Sequence, residues 1–109
     1  MSEAIKFDIS INTATDYTID FSPTEDDETP IDMTGWTAEA QLRQYPEAID
    51  YLDFVCTADE NGFHMSMDHD TTALITYSRG HYDLFITDPD NRREKLAMGR
   101  AYIYPRTTR

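Results

Sequence analysis

Apolar residues recur at every second position in several stretches of this chain. Ile5, Phe7, Ile9 and Ile11 alternate with polar residues, as do Tyr17, Ile19 and Phe21, then Trp36, Ala38, Ala40 and Leu42, and again Tyr82, Leu84 and Ile86. Successive side chains of a β-strand point to opposite faces, so each stripe predicts a strand with one buried face. Residues 5–11 and 16–21 give the first two strands. The short, turn-like link Asn12-Thr13-Ala14-Thr15 predicts that they pair as a hairpin. Between Pro23 and Pro30 the run Glu25, Asp26, Asp27, Glu28 breaks the pattern and predicts an exposed loop. A strand over residues 36–44 follows, with Gly35 allowing a bend before Trp36 enters the core. Pro46, which has no backbone N–H, closes it. Leu52, Phe54 and Cys56 share one face of a strand over residues 51–57. Asn61-Gly62 marks a hairpin. On its return strand Phe63, Met65 and Met67 face one way, and His64 and Ser66 the other.

The segment from Asp70 to Ile75 predicts one or two helical turns, capped by Asp70 and ended near Gly80. Strands over residues 81–87 and 94–104 close the chain, joined by the turn Asp88-Pro89-Asp90-Asn91. In the last strand Leu96 and Met98 share a face, whereas Ala101 and Ile103 oppose Tyr102 and Tyr104. Gly99 sits at that change of register and is the expected site of a bulge. The pattern predicts one all-β domain over residues 1–109. Its expected form is an antiparallel β-sandwich (Ig-like) of about seven strands with one short helical link.

Charge changes the picture more than length does. The 109 residues carry a net charge of −12. A surface this acidic repels phosphate backbones, which argues against nucleic acid as a partner. The balance is uneven: three basic residues face twenty acids before residue 92, and six face one acid after it. Arg92, Arg93, Arg100, Arg106 and Arg109 belong to that basic end. Copies of such a chain can attract one another head to tail, and a homo-oligomer is the expectation. The basic end with Tyr102 and Tyr104, and the acidic run Glu25 to Glu28, are the candidate interface residues. The bland alternative is a solvated surface with local salt bridges.

Candidate chemistry is sparse. The single Cys56 excludes an internal disulfide and fits a chain made in a reducing cytoplasm. No apolar segment approaches the ~20 residues needed to cross a bilayer, so no membrane association is expected. The start of the chain lacks the basic and apolar regions of a signal peptide. His64, His69 and His81 do not have zinc-site spacing. The acids at 25–28 lack the glycine and spacing of a calcium loop. No serine stands in a Gly-x-Ser-x-Gly elbow. No catalytic residue, metal or cofactor is expected. Tyr51, Tyr102 and Tyr104 leave open a carbohydrate-binding module, with or without Ca²⁺, because tyrosine pairs an apolar ring with a polar tip.

The order of framework residues is more specific. Asp32-Met33-Thr34-Gly35-Trp36 precedes Gln41-Leu42-Arg43. Thr72-Ala73-Leu74, Gly80-His81-Tyr82-Asp83-Leu84, Gly99 and Pro105-Arg106-Thr107-Thr108-Arg109 follow. This pattern, over residues 16–109, resembles the small β-sandwich virion proteins of tailed bacteriophages, which include baseplate, tail-collar and tail-fibre connector modules. The chain departs from it where Asp83 follows Tyr82 directly and where the link before Gly80 is long. The resemblance implies a non-catalytic structural protein of the virion. Such a protein is made in the host cytoplasm, oligomerises at the tail or baseplate, and connects larger tail or fibre components. A capsid decoration or head-fibre anchor is the alternative within the same resemblance. Arg43 and Arg109 are then expected to meet acids on the same or a neighbouring subunit, and Asp83 to accept hydrogen bonds from nearby backbone.

Overall fold

The computed structural model describes residues 4–22 and 31–105. Its elements, in chain order, are β1 (Ile5–Lys6), β2 (Ile9–Asn12), β3 (Tyr17–Phe21), β4 (Thr37–Arg43), β5 (Leu52–Asp59), β6 (Gly62–Met67), α1 (His69–Thr72), β7 (Arg79–Thr87) and β8 (Arg93–Tyr104). The strands hydrogen-bond in the order β1-β8-β7-β4-β5-β6-β3, with β2 following β1 along β8. All-β architecture is therefore present, as a curled sheet.

The curl is set within β5. Its first half, Leu52 to Phe54, pairs with β4, and its second half, Val55 to Asp59, pairs with β6. The strand thus passes from one layer to the other after Phe54. One core fills the concave side. Ile11, Leu42, Phe63, Met65, Leu84, Ile86 and Leu96 in it have no exposed surface. All but Leu96 sit at the inward parity of their strands, which is why the period-two stripes predicted them.

The first stripe behaves differently from expectation. β1 and β2 do not form a hairpin with β3. They pair parallel to β8, Ile5 opposite Ala97 and Ile9 opposite Ala101, so the sheet is mixed. β3 lies at the far end of the strand order, antiparallel to β6. The link after Asn12 therefore carries the chain from one sheet edge to the other. Turn chemistry shows that a chain reverses but not which strand it meets next. Ala14 adopts φ +62° in that link. The Thr72 hydroxyl, fully buried, fixes it by accepting from the Thr15 N–H and donating to the Thr15 carbonyl, at 3.1 and 2.8 Å. Only Ile9 and Ile11 of the first stripe are buried. Ile5 and Phe7 are about half exposed, and the Phe7 ring meets Phe21 of β3 edge-on at 6.3 Å.

Two glycines explain local geometry. Gly35, at φ +89°, makes the expected bend, after which Trp36 packs edge-on against Phe63 at 6.1 Å. Gly99 is not the bulge. A Cβ there would lie 2.7 Å from the Phe7 carbonyl carbon and closer still to its oxygen. The Phe7 carbonyl occupies that space and accepts a hydrogen bond from the buried Tyr82 hydroxyl, which reaches it from the strand opposite Gly99.

The register shift falls earlier than expected. Leu84 pairs with Ala97 but Phe85 with Lys95, so Leu96 is the extra residue. Leu96 and Ala97 are both fully buried, and Met98 is exposed rather than sharing the face of Leu96. A bulge between two consecutive apolar residues leaves no glycine signature. The helical link is a single turn capped by Asp68, whose carboxylate accepts from the Thr71 N–H at 2.8 Å, in place of the expected Asp70. Gly80 does not end it. It lies inside β7, where a Cβ would press on the Arg43 carbonyl and the Tyr77 ring.

Candidate functional site

Because Leu96 is an extra residue, the parity of β8 changes midway. Arg93 and Lys95 before the bulge, and Met98, Arg100, Tyr102 and Tyr104 after it, therefore point to the same convex face of the sheet. Without the bulge Arg93 and Arg100 would stand on opposite faces. Their convex-face neighbours on β7 are His81, Asp83 and Phe85, and on β4 Glu39, Gln41 and Arg43.

These positions enclose a groove of about 480 Å³. Its walls include Lys6 of β1, Arg100 and Lys95 of β8, His81 and Asp83 of β7, and Arg43 and Gln41 of β4. Arg100 stands directly across from His81, and His81 directly across from Arg43. Lys95 lies 3.8 Å from Asp83, in place of the expected backbone donors to that carboxylate. Arg43 does not meet an acid among the described residues. Its guanidinium donates to the Ala48 carbonyl and to Gln41 Oε1, and lies over the Tyr51 ring at 4.6 Å. Asp8 accepts from the Arg100 N–H at 2.9 Å, which holds the turn between β1 and β2 against β8.

The expected interface residues divide accordingly. Arg93 ion-pairs with Glu39 and covers the Phe85 ring at 3.9 Å, so its charge is locally used. Arg92 is in the turn after β7, its N–H donating to Asp88 Oδ1 at 2.8 Å. Arg100 lines the groove. Tyr102 is half-buried and Tyr104 exposed on the same face. Tyr51 opens onto β5, three strand spacings from β8, so the three tyrosines do not share a platform. Glu25, Asp26, Asp27, Glu28, Arg106 and Arg109 lie outside the described residues. The strand over 94–104 is interior, between β7 and the β1–β2 edge. Sequence reasoning missed Lys6, Lys95 and His81 as site residues. Parity along β7 marks His81, whereas the parallel pairing that brings in Lys6 has no local signal.

The other layer has the opposite character. On its convex side His64 lies between Asp20 and Asp59, with Nδ1 and Nε2 at 2.7 and 3.0 Å from their carboxylates. His69 stands 2.9 Å from Asp16, whose second bond from the His69 N–H ties α1 to β3. Hydrogen bonds donated to Asp59 and Asp20 hold the His64 pKa above its ordinary 6.5, and the bond from His64 lowers that of Asp59. A histidine raised on folding stabilises fully below its unfolded pKa and loses that contribution as pH rises through its folded one. Asp59, lowered on folding, contributes above the ordinary carboxylate range and loses its contribution in acid. The expected result is a His64 titration midpoint above 6.5 by proton NMR, moving down toward 6.5 in Asp59→Asn. An unchanged midpoint in that variant contradicts the assignment. Among the described residues no three His, Cys, Asp or Glu groups are placed to hold a metal ion. Burial pushes the Cys56 thiol up to about 11, which keeps it protonated at neutral pH.

No protein-family model matches this chain, and no curated protein matches it. No helix among the described residues is long and apolar enough to cross a membrane.

Proposed function

We propose that this chain is a non-catalytic structural protein of a tailed-bacteriophage virion, acting in several copies at the tail or baseplate to join larger components. The carrying observation is where the framework residues of the phage-like pattern fall. Gly35 makes the positive-φ bend, Trp36 packs on Phe63, Gly80 sits beneath Arg43, and Tyr82 with Gly99 secures the β1–β2 edge. Each has a mechanical task in the sheet, as expected where a pattern preserves a scaffold and leaves the surface free to vary.

We also propose that the curled sheet is an Ig-like sandwich in kind. β4, β7 and β8 correspond in order and direction to the C, F and G strands of that fold. β3, β6 and the second half of β5 correspond to B, E and D. The continuous β5 replaces two separate strands, and the leading strand runs parallel to the last.

Immunogold labelling of purified virions, with antibody raised against the purified chain, tests the function. Label on tails or baseplates is the expected result. Label on heads alone favours a capsid decoration or head-fibre anchor. Particles without label overturn the virion reading.

A further inference from the structure

We propose that the convex groove between β1, β8, β7 and β4 is a docking site for a second copy of this chain, which enters it with the acidic convex face of its own β3–β6 layer. The inference deepens the assembly reading above and rests on it only for the presence of several copies.

The first support is a juxtaposition on the convex face. Arg43, His81 and Arg100 stand side by side on three adjacent strands in direct register, with Lys6 on the next. Arg43 and Arg100 flank His81, two strands apart on the same face. No acidic side chain among the described residues pairs with Arg43, Arg100 or Lys6. The groove lining holds four basic side chains, Lys6, Arg43, Lys95 and Arg100, against two acidic ones, Asp8 and Asp83, so it presents net positive charge to an anionic partner.

The second support is the complementary face. Asp16, Asp20, Asp59 and Asp70 expose 51 to 90% of their side chains on the opposite layer. Asp16 and Asp20 lie four residues apart along one edge, roughly 13 Å at strand rise. Lys6 and Arg43 stand three strand spacings and two residues apart, about 16 Å. Two faces of opposite sign on opposite layers form a heterologous pair, which builds rings or filaments rather than a closed two-fold dimer. Electrostatic attraction of this kind sets the orientation and rate of encounter and weakens steeply with salt.

The test uses the full purified chain in sedimentation and light scattering over a concentration series. The expected mass rises with concentration and returns to that of the monomer at about 0.5 M salt, where the screening length is a few ångströms. Lys6→Glu with Arg100→Glu reverses the groove, and Asp20→Lys with Asp70→Lys reverses the acidic face. All four side chains are exposed or rim positions, and far-ultraviolet spectra check that each variant folds. Each double variant alone is expected to associate at least tenfold more weakly. An equimolar mixture of the two is expected to associate again. A wild-type chain that stays monomeric to millimolar concentration overturns the proposal. So does association that neither reversal weakens, or a mixture that does not recover. Binding of an acidic peptide or an oligonucleotide to a monomeric chain through Lys6 and Arg100 overturns it too, by giving the groove a different occupant. None of these failures alters the labelling of virions, so the two readings fail separately.

Discussion

Replacing Gly99 with alanine destabilises the protein by about 3 kcal/mol and loosens the β1–β2 edge first. The space above Gly99 is filled by the Phe7 carbonyl, and a methyl group there forces that backbone outward. Three bonds then fail together. The Phe7 N–H leaves the Met98 carbonyl, the Tyr82 hydroxyl loses the Phe7 carbonyl, and Asp8 loses the Arg100 N–H. Tyr82 is almost fully buried, so its hydroxyl finds no water in exchange. Tyr82→Phe removes only one of those bonds and leaves a carbonyl unsatisfied, at a cost of about 1–3 kcal/mol. The two changes share a partner and will not add. Denaturant unfolding gives the magnitudes. Amide exchange of Phe7 and of Ile9 to Asn12 shows where the loss begins. A Gly99→Ala protein with wild-type stability and protection contradicts this account of the edge.

That edge also marks the limit of what the sequence discloses. Inward parity was legible wherever a strand alternates without interruption: Ala40 and Leu42, Phe63 to Met67, and Tyr82 to Ile86 are all placed on the buried face by their spacing. The signals that failed are those fixed by a distant partner. Nothing near Ile5 or Ile9 indicates β8, some ninety residues later. Nothing near Leu96 indicates a bulge, because Leu96 and Ala97 are both apolar and both buried. The candidate site inherits both blind spots. Arg93 and Arg100 belong to one face only because of the bulge, and Lys6 joins them only because of the parallel edge. The uneven charge along the chain was visible as a basic end. Folding turns it into something different, a basic convex face on the β8–β7–β4 layer and an acidic one across the molecule on β3–β6.

Phe63→Ala is expected to cost about 3–5 kcal/mol, a large share of the 5–15 kcal/mol by which a domain of this size is stable. Phe63 has no exposed surface and pairs across the ladder with Phe21 on one side and Ala58 on the other. Its ring supports the only tryptophan, which stands between the Gly35 bend and β4. Removing it opens a cavity beside the β5–β6 hairpin, where Trp36 reaches over from just before β4. The backbone on both sides resists collapse into that space. Gly62, at φ +123°, is packed against the Phe21 carbonyl, so the start of β6 has no room to shift toward β3. The cavity therefore persists, and the cost approaches the upper end of the range. Trp36 reports it directly: its emission moves to longer wavelength in the folded variant as water reaches the exposed indole edge. Phe63→Leu keeps most of the volume and is expected to lose less than half as much stability, with Trp36 emission close to wild type. Equal losses in the two variants would show that edge-on ring contact, rather than filled volume, holds the layers together at this point.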